Sequence, residues 1–123
     1  MKALSIQQPW AWLIVNGYKP VENRSWPTTY RGPLLIHAGK KIDTDGLEWI
    51  RDEFPQIELP QRFEVGGIVG RVQISDCVTR YDSPWFFGPF GFILADSEPL
   101  PFHACRGRLG FFDASHHEEP THE

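Results

Sequence analysis

Short apolar runs separated by glycine and proline occur along the whole chain and indicate a fold built from short strands. The 123 residues include 11 glycines and 11 prolines, which interrupt regular structure because of their backbone geometry. The intervening runs are rich in β-branched and aromatic residues, which favour strands. About six strands are predicted on this basis, at 1–7, 21–26, 33–38, 65–74, 92–95 and 108–112.

Two helices are predicted among these strands. Pro9 suits a first helical position, because its missing N–H would be unpaired there in any case, and Gly17 suits the left-handed cap after a helix over 9–16. A second helix is predicted to begin at Asp43 or Thr44 and to end before Pro55. The pattern predicts a mainly β, α+β fold, a small, partly open β-barrel with both helices flanking its mouth.

The domain organisation follows from length. A chain of 123 residues suits one compact domain, which we predict to span 1–113. Residues 114–123 are predicted to form a flexible acidic tail that contains His116, His117 and His122. Those histidines lack the spacing of a closed metal site, so no metal and no cofactor are predicted.

Cysteine usage and hydropathy predict the cellular setting. Cys77 and Cys105 show no metal-ligand spacing and are predicted to be free thiols. No secretory signal and no apolar run of membrane-spanning length occurs in the sequence. We therefore expect a cytoplasmic protein that does not contact membranes.

The charge of the chain is unevenly distributed. Its formal net charge is −4, yet residues 1–41 carry six basic residues against one acidic residue, a net charge of +5. Residues 42–123 carry six basic residues against fifteen acidic residues, a net charge of −9. This pattern favours a local anion site for a phosphate-bearing ligand or a short RNA element over a surface that coats long duplexes.

The segment 19–26 concentrates the candidate site chemistry. In a strand over 21–26, Glu22, Arg24 and Trp26 share one face because side chains alternate. Lys19 could hold a phosphate, or act as a base or nucleophile if burial lowered its pKa, and the alternative is a solvated turn lysine. Glu22 and Arg24 could form only an ion pair, or also orient Lys19 and face an anion.

Further candidates lie on either side of this segment. Trp10 and Trp26 are candidates for stacking on a base, with core packing as the alternative. Gln8 could read a base edge or cap its own helix. His37 is a candidate general acid or base, with a hydrogen-bonded structural role as the alternative, and Lys40 is a candidate ligand contact. The aromatic run 85–90 could wall a flat ligand, but such runs mostly pack under loops.

These residues form motifs that together resemble the ASCH domain family. The motifs are Leu4-Ser-Ile-Gln-Gln-Pro-Trp10, Gly17-x-Lys19-x-x-Glu22-x-Arg24-Ser-Trp26, Tyr30-Arg-Gly-Pro-Leu-Leu-Ile-His-Ala38, Gly67-Ile-Val-Gly70 and Arg106-Gly-x-Leu-Gly110. The resemblance implies a PUA-like RNA-binding barrel. It also implies a cleft between the first helix and the barrel, lined by 17–24, that takes RNA or a modified nucleotide.

The resemblance also implies an enzymatic alternative, because some family members are amidohydrolases of acylated cytidine or ribonucleases. In that case the protein is a metal-independent hydrolase with Lys19 and Glu22 as the acid-base pair and His37 in reserve. The amidohydrolase-like members carry threonine at the position of Glu22, and their further acidic residue is replaced around 71–73. These departures favour binding over that activity. A protein partner, bound through the aromatic surface and the acidic second helix, is a third alternative.

Overall fold

The computed structural model describes residues 1–114, which form a six-stranded sheet and two helices. In chain order the elements are β1 (Lys2–Gln8), α1 (Trp10–Val15), β2 (Val21–Arg24), β3 (Gly32–Ile42), α2 (Thr44–Glu53), β4 (Gly67–Val78), β5 (Phe90–Ala104) and β6 (Phe111–Asp113). The predicted mainly β, α+β class is confirmed. No helix in this part of the chain combines the length and apolar character needed to cross a membrane.

The sheet is open at its edges but curls into a partial barrel. Its strand order, β2-β5-β4-β3-β1-β6, leaves β2 and β6 at opposite ends. Neighbouring strands are antiparallel except β1 and β3, which are parallel. Trp26, just after β2, nevertheless lies 5.3 Å from Phe111 on β6, measured between ring centroids. The two edges therefore approach each other, and aromatic side chains fill the gap between them. The predicted partly open barrel is confirmed.

Helix α1 packs closely on the concave side of the sheet. Its buried residues are Ala11, Leu13, Ile14 and Val15, whereas Trp10 at the start of the helix is only half-buried. A Cβ at Gly70 on β4 would collide with Cγ1 of Val15. The absence of a side chain at this strand position therefore sets the distance between helix and sheet.

The end of α1 is determined by local hydrogen bonds. Gly17 adopts a φ of 83° and its N–H donates to the carbonyl of Ile14, while the N–H of Tyr18 donates to the carbonyl of Leu13. This pair of bonds is the Schellman motif, which favours glycine at the left-handed position. The predicted cap is confirmed, and it turns the chain so that Lys19 follows directly.

Helix α2 begins at the predicted cap. The carboxylate of Asp43 accepts a hydrogen bond of 2.9 Å from the N–H of Gly46, satisfying a helix-terminal donor. Its other oxygen accepts one of 2.9 Å from Nε1 of Trp10. Ile50 of α2 packs with Leu13 in a second apolar cluster. The two helices are thus joined at their starts.

The strand bounds differ from the prediction: β2 ends earlier than predicted, β4 continues to Val78, and β3, β5 and β6 differ for reasons that their pairing shows. β3 continues through Lys40 to Ile42, because Ile42 still pairs with Gln8 of β1. β5 runs through 97–104, where the sequence predicts a connecting loop that contains Pro99. β2 pairs only with the first residues of β5, so the rest of β5 is an edge beyond β4, where proline is tolerated. β6 is shorter than predicted, and 108–110 form the turn before it.

The packed part of the chain extends through Ala114. This residue is fully buried, and its N–H donates a hydrogen bond of 2.9 Å to the carbonyl of Met1. The domain therefore includes one residue that the sequence assigns to the tail. The remainder of that predicted tail, with His116, His117 and His122, lies outside the described residues.

Candidate ligand-binding recess

A recess of about 540 Å³ opens beside the start of α1 and the strand β2. Five of the predicted site residues line it: Trp10, Lys19, Glu22, Arg24 and Trp26. Ser5, Gln7 and Asn23, which are not among the predicted site residues, also line it, as does Phe87 from the aromatic run that could wall a ligand. We call this cavity the Lys19 recess.

Lys19 is buried at the inner end of the recess, with 3% of its surface exposed. Its Nζ donates to the carbonyl of Val21 at 2.6 Å and lies 3.4 Å from Oε1 of Glu22. The ammonium also lies 5.6 Å from the centre of the Trp10 ring. Burial lowers the pKa of Lys19, against the opposing effect of the Glu22 carboxylate. In this environment a lysine loses its proton more readily than an exposed lysine does.

Glu22 lies between two cations. One carboxylate oxygen faces Lys19, and the other accepts a hydrogen bond of 2.8 Å from Nε of Arg24. Glu22 is 7% exposed, so this ion pair is screened far less than one on the surface. With one carboxylate between two cations, the group carries a net positive charge. The guanidinium of Arg24 also lies 5.9 Å from the centre of the Trp26 ring.

Glu22 and Arg24 lie on one face of β2, as the alternation of side chains predicts, although β2 ends at Arg24 and Trp26 lies beyond it. Trp26 has two roles. Its ring lines the recess and also packs edge-to-face on Phe92 and Phe111, each at 5.3 Å. The contacts with Phe92 and Phe111 correspond to the core-packing alternative, and stacking on a base stays a prediction.

Asn23 builds the outer wall of the recess. Its Nδ2 donates to the carbonyl of Trp85 at 3.0 Å, and its Oδ1 accepts from the N–H groups of Phe87 and Gly88 at 2.8 and 3.0 Å. Strand alternation directs Asn23 away from Glu22 and Arg24, so the sequence offered no reason to include it. Its amide holds the aromatic loop in place.

The aromatic run 85–90 divides between core and recess. Trp85 is 6% exposed and stacks on Phe54 with ring centroids 4.4 Å apart. Phe87 is 62% exposed and lines the Lys19 recess. The expected core packing holds for Trp85, whereas Phe87 stands at the rim.

Gln8, predicted as a ligand contact or a helix cap, lies outside the recess. It is 1% exposed; its Oε1 accepts from the N–H of Trp12 at 2.8 Å, and its Nε2 donates to the carbonyl of Glu64 at 2.8 Å. Donor and acceptor are both used internally, which corresponds to the capping alternative. Lys40 also lies outside the recess, in a neighbouring depression.

His37 is held by hydrogen bonds at both ring nitrogens. Nε2 lies 2.7 Å from the carbonyl oxygen of Cys105, and Nδ1 lies 3.0 Å from Oγ of Ser5. A carbonyl only accepts, so Nε2 carries the proton and Nδ1 accepts from the Ser5 hydroxyl. The ring is 3% exposed and does not line the recess. This geometry matches the structural alternative stated for His37.

The remaining groups offer no metal or thiol site. Within residues 1–114, no cluster of three or more His, Cys, Asp or Glu residues could hold a metal ion. Cys77 and Cys105 are free thiols. Burial raises the pKa of Cys105, which disfavours the thiolate needed for nucleophilic attack.

Comparisons with known proteins show which sequences this chain is similar to. Residues 4–86 match the model of the ASCH domain. Over 83 residues the chain is 36% identical to activating signal cointegrator 1 of Mus musculus and of Homo sapiens, an alignment that covers 63% of this chain and 14% of each relative. The chain thus spans a small part of the curated relatives it matches.

Solved structures show the same fold at lower sequence similarity. The ASCH protein of Zymomonas mobilis is 17% identical, with a TM-score of 0.55, and the match covers 84% of this chain and 72% of that one. A tyrosine-to-phenylalanine mutant of that protein gives a TM-score of 0.56 at the same identity, covering 84% of this chain and 74% of the mutant chain. With the matched family model spanning α1, β2 and the recess between them, this chain belongs to the ASCH domain family.

Proposed function

We propose that the domain binds RNA, through an unpaired base, or a modified nucleotide in the Lys19 recess. The observation that carries the proposal is the convergence of Lys19, Glu22 and Arg24 with two tryptophans on one concave surface. A volume of about 540 Å³ lies in the range of pockets for small organic ligands. Membership in the ASCH family, whose barrel resembles RNA-binding PUA domains, supports a nucleic-acid ligand.

The chemistry of the lining suits a planar, polar ligand. Trp26 and Phe87 offer faces for stacking at the open side, which is how unpaired bases are commonly held. Arg24 uses Nε and one Nη2 hydrogen internally, which leaves further guanidinium donors for a ligand. The oxygens of Glu22 keep unused lone pairs that could accept from an exocyclic amine. Donors and an acceptor at fixed positions can read a base edge.

A binding panel tests this proposal. Isothermal titration would compare nucleosides, nucleoside monophosphates, short single-stranded RNA and an RNA duplex at two salt concentrations. We expect binding of single strands or nucleotides, weakened at least tenfold in Lys19→Ala and Arg24→Ala, which corresponds to about 1.4 kcal/mol or more. Arg51→Ala on the exposed end of α2 is the matched control and should bind normally.

Two results would contradict the proposal. The first is a wild-type protein that binds no member of the panel. The second is unaltered affinity in Lys19→Ala and Arg24→Ala. A protein partner that binds the wild type and both variants equally well would instead favour the interaction-domain alternative.

A second candidate function, hydrolysis, is favoured by the lowered pKa of Lys19. A lysine that loses its proton more readily than usual can act as a general base or nucleophile, and the adjacent Glu22 carboxylate can exchange the proton. The test is turnover of acylated cytidine and of short RNA without added metal. Hydrolysis that is lost in Lys19→Ala and Glu22→Gln, with ligand affinity retained, would establish the enzyme. Undiminished turnover in these variants would exclude the assigned roles.

A further inference from the structure

A second depression, of about 500 Å³, adjoins the Lys19 recess. The two cavities share Ser5, Gln7 and Arg24. The two cavities therefore lie next to each other, with Ser5, Gln7 and Arg24 at their common border. We call the second depression the basic shelf and define it by Lys40, Lys41 and Arg108 together with Arg24.

The charge of the basic shelf has one sign. Lys40, Lys41 and Arg108 are exposed and line the depression with Arg24, whereas no aspartate or glutamate lines it. Within residues 1–114, no ion pair involves Lys40, Lys41 or Arg108. Like charges at close range repel, so such a cluster on a chain of net charge −4 is stabilised when an anion binds.

Three glycines leave main-chain atoms accessible at the surface of the basic shelf. Gly39, Gly107 and Gly110 line it. A Cβ on Gly107 would lie 2.7 Å from Cε1 of His37 and 3.0 Å from Oγ of Ser5, so the segment that carries Arg108 packs directly against that hydrogen-bonded pair. The bond from His37 to the Cys105 carbonyl holds the same segment. His37 thus holds in place the segment that carries Arg108.

An apolar side chain borders the cations. Leu109 also lines the shelf, and 99% of its surface is exposed. A single exposed leucine is common. Leu109 follows Arg108 directly in the chain, so an apolar surface lies beside the cations, against which the carbon atoms of a ligand could pack.

We propose that the basic shelf binds the phosphate attached to the nucleotide whose base occupies the Lys19 recess. This inference rests on the proposed function and adds a ligand class to it: a phosphorylated nucleotide or an RNA strand, in preference to a free nucleoside. Arg24 is the boundary residue. Two of its N–H groups donate to Glu22 and to the Ser5 carbonyl. The other guanidinium N–H groups can donate to the phosphate.

The test measures the contribution of the phosphate to affinity separately from that of the base. Affinities of a nucleoside, its 3′- and 5′-monophosphates and a dinucleotide would be measured for the wild type and for a Lys40→Ala/Lys41→Ala variant. Charge-assisted hydrogen bonds predict a gain of about tenfold for at least one phosphorylated ligand over the nucleoside in the wild type. The gain should disappear in the double variant, while nucleoside affinity stays unchanged.

Two control variants, an NMR titration and circular dichroism complete the experiment. Lys40→Arg/Lys41→Arg keeps the charge and should keep the gain, and Arg51→Ala on α2 should behave as wild type. In an NMR titration the amide signals of Gly39, Gly107 and Gly110 should shift with the monophosphate and not with the nucleoside. Because the substituted lysines are exposed, circular dichroism should show an unchanged fold.

The outcomes distinguish the two proposals. Equal affinity for the nucleoside and every phosphorylated ligand in the wild type, or a gain that survives in Lys40→Ala/Lys41→Ala, overturns the basic shelf and leaves base binding in the Lys19 recess intact. If no ligand of the series binds, both proposals fail. A gain abolished by alanine and retained by arginine supports the shelf.

Discussion

The guanidinium of Arg24 donates a hydrogen bond of 2.9 Å from Nη2 to the main-chain carbonyl of Ser5. Arg24 ends β2 and Ser5 lies in β1, two strands that do not pair because β5, β4 and β3 lie between them in the sheet. The bond therefore spans the open side of the barrel. The Arg24 side chain joins the edge strand β2 to β1 there, pairs with Glu22 and borders both cavities.

Arg24→Lys is expected to lower the free energy of unfolding by about 1–2 kcal/mol, because a single ammonium cannot reproduce the fork that binds Glu22 and Ser5 together. Urea denaturation measures the change. Arg31→Lys is the control, since Arg31 pairs with Asp76 at 3.5 Å on the surface and should change stability by less than about 0.5 kcal/mol. Equal effects of the two substitutions would contradict a bridging role for Arg24.

Glu22→Gln is expected to destabilise the fold by about 3 kcal/mol, because it leaves the buried Lys19 ammonium without its carboxylate. Lys19→Met/Glu22→Gln removes both charges and should recover part of the loss. Glu48→Gln, on the exposed face of α2, serves as the control. Thermal and urea unfolding of these variants, Lys19→Met and the wild type would test the coupling, and strictly additive losses would rule it out.

Lys19 should also make stability depend on pH. Burial lowers its folded-state pKa below the ordinary value of 10.5, so the unfolded chain binds more protons in the window between the lowered value and 10.5. Stability should therefore rise with pH across that window relative to Lys19→Met, and this contribution is lost as pH falls through the folded-state pKa. Urea unfolding of both proteins between neutral and alkaline pH gives the difference. A difference that stays flat or falls would refute the lowered pKa.

Phe87 and Trp85 should separate binding from stability. Phe87→Ser is expected to cost less than about 1 kcal/mol of stability, yet to weaken nucleotide binding by about 1–3 kcal/mol through lost stacking. Trp85→Ala should cost about 3–5 kcal/mol of stability, because it empties a buried site beside Phe54. Denaturation and titration of each variant provide the comparison. Unchanged nucleotide affinity in Phe87→Ser would remove this ring from the proposed site.

Local sequence patterns predicted the parts of the site that depend on near neighbours. The cap at Gly17 follows from the need for a positive φ, and it places Lys19 at the inner end of the recess. Alternation along a strand placed Glu22 and Arg24 on one face. The cap at Asp43 likewise depends on an N–H three residues later.

Other residues took their roles from distant parts of the chain. Asn23 contributes through the backbone of the loop that holds Phe87, more than 60 residues away in sequence. Pairing with β1 extends β3 beyond Lys40. This pairing sets the position of Lys40 at the basic shelf. No short-range periodicity carries this information, because loops of any sequence length can bring two backbones together.

The fold class, the helix caps and the charged triplet of Lys19, Glu22 and Arg24 could be predicted from the amino-acid sequence, since each depends on backbone preferences and spacings within a few residues. Which surfaces face one another could be read only from the folded chain. The curl of the sheet brought Arg24 to Ser5 and Trp26 to Phe111, because such contacts join segments that do not pair through main-chain hydrogen bonds and that lie many residues apart in sequence.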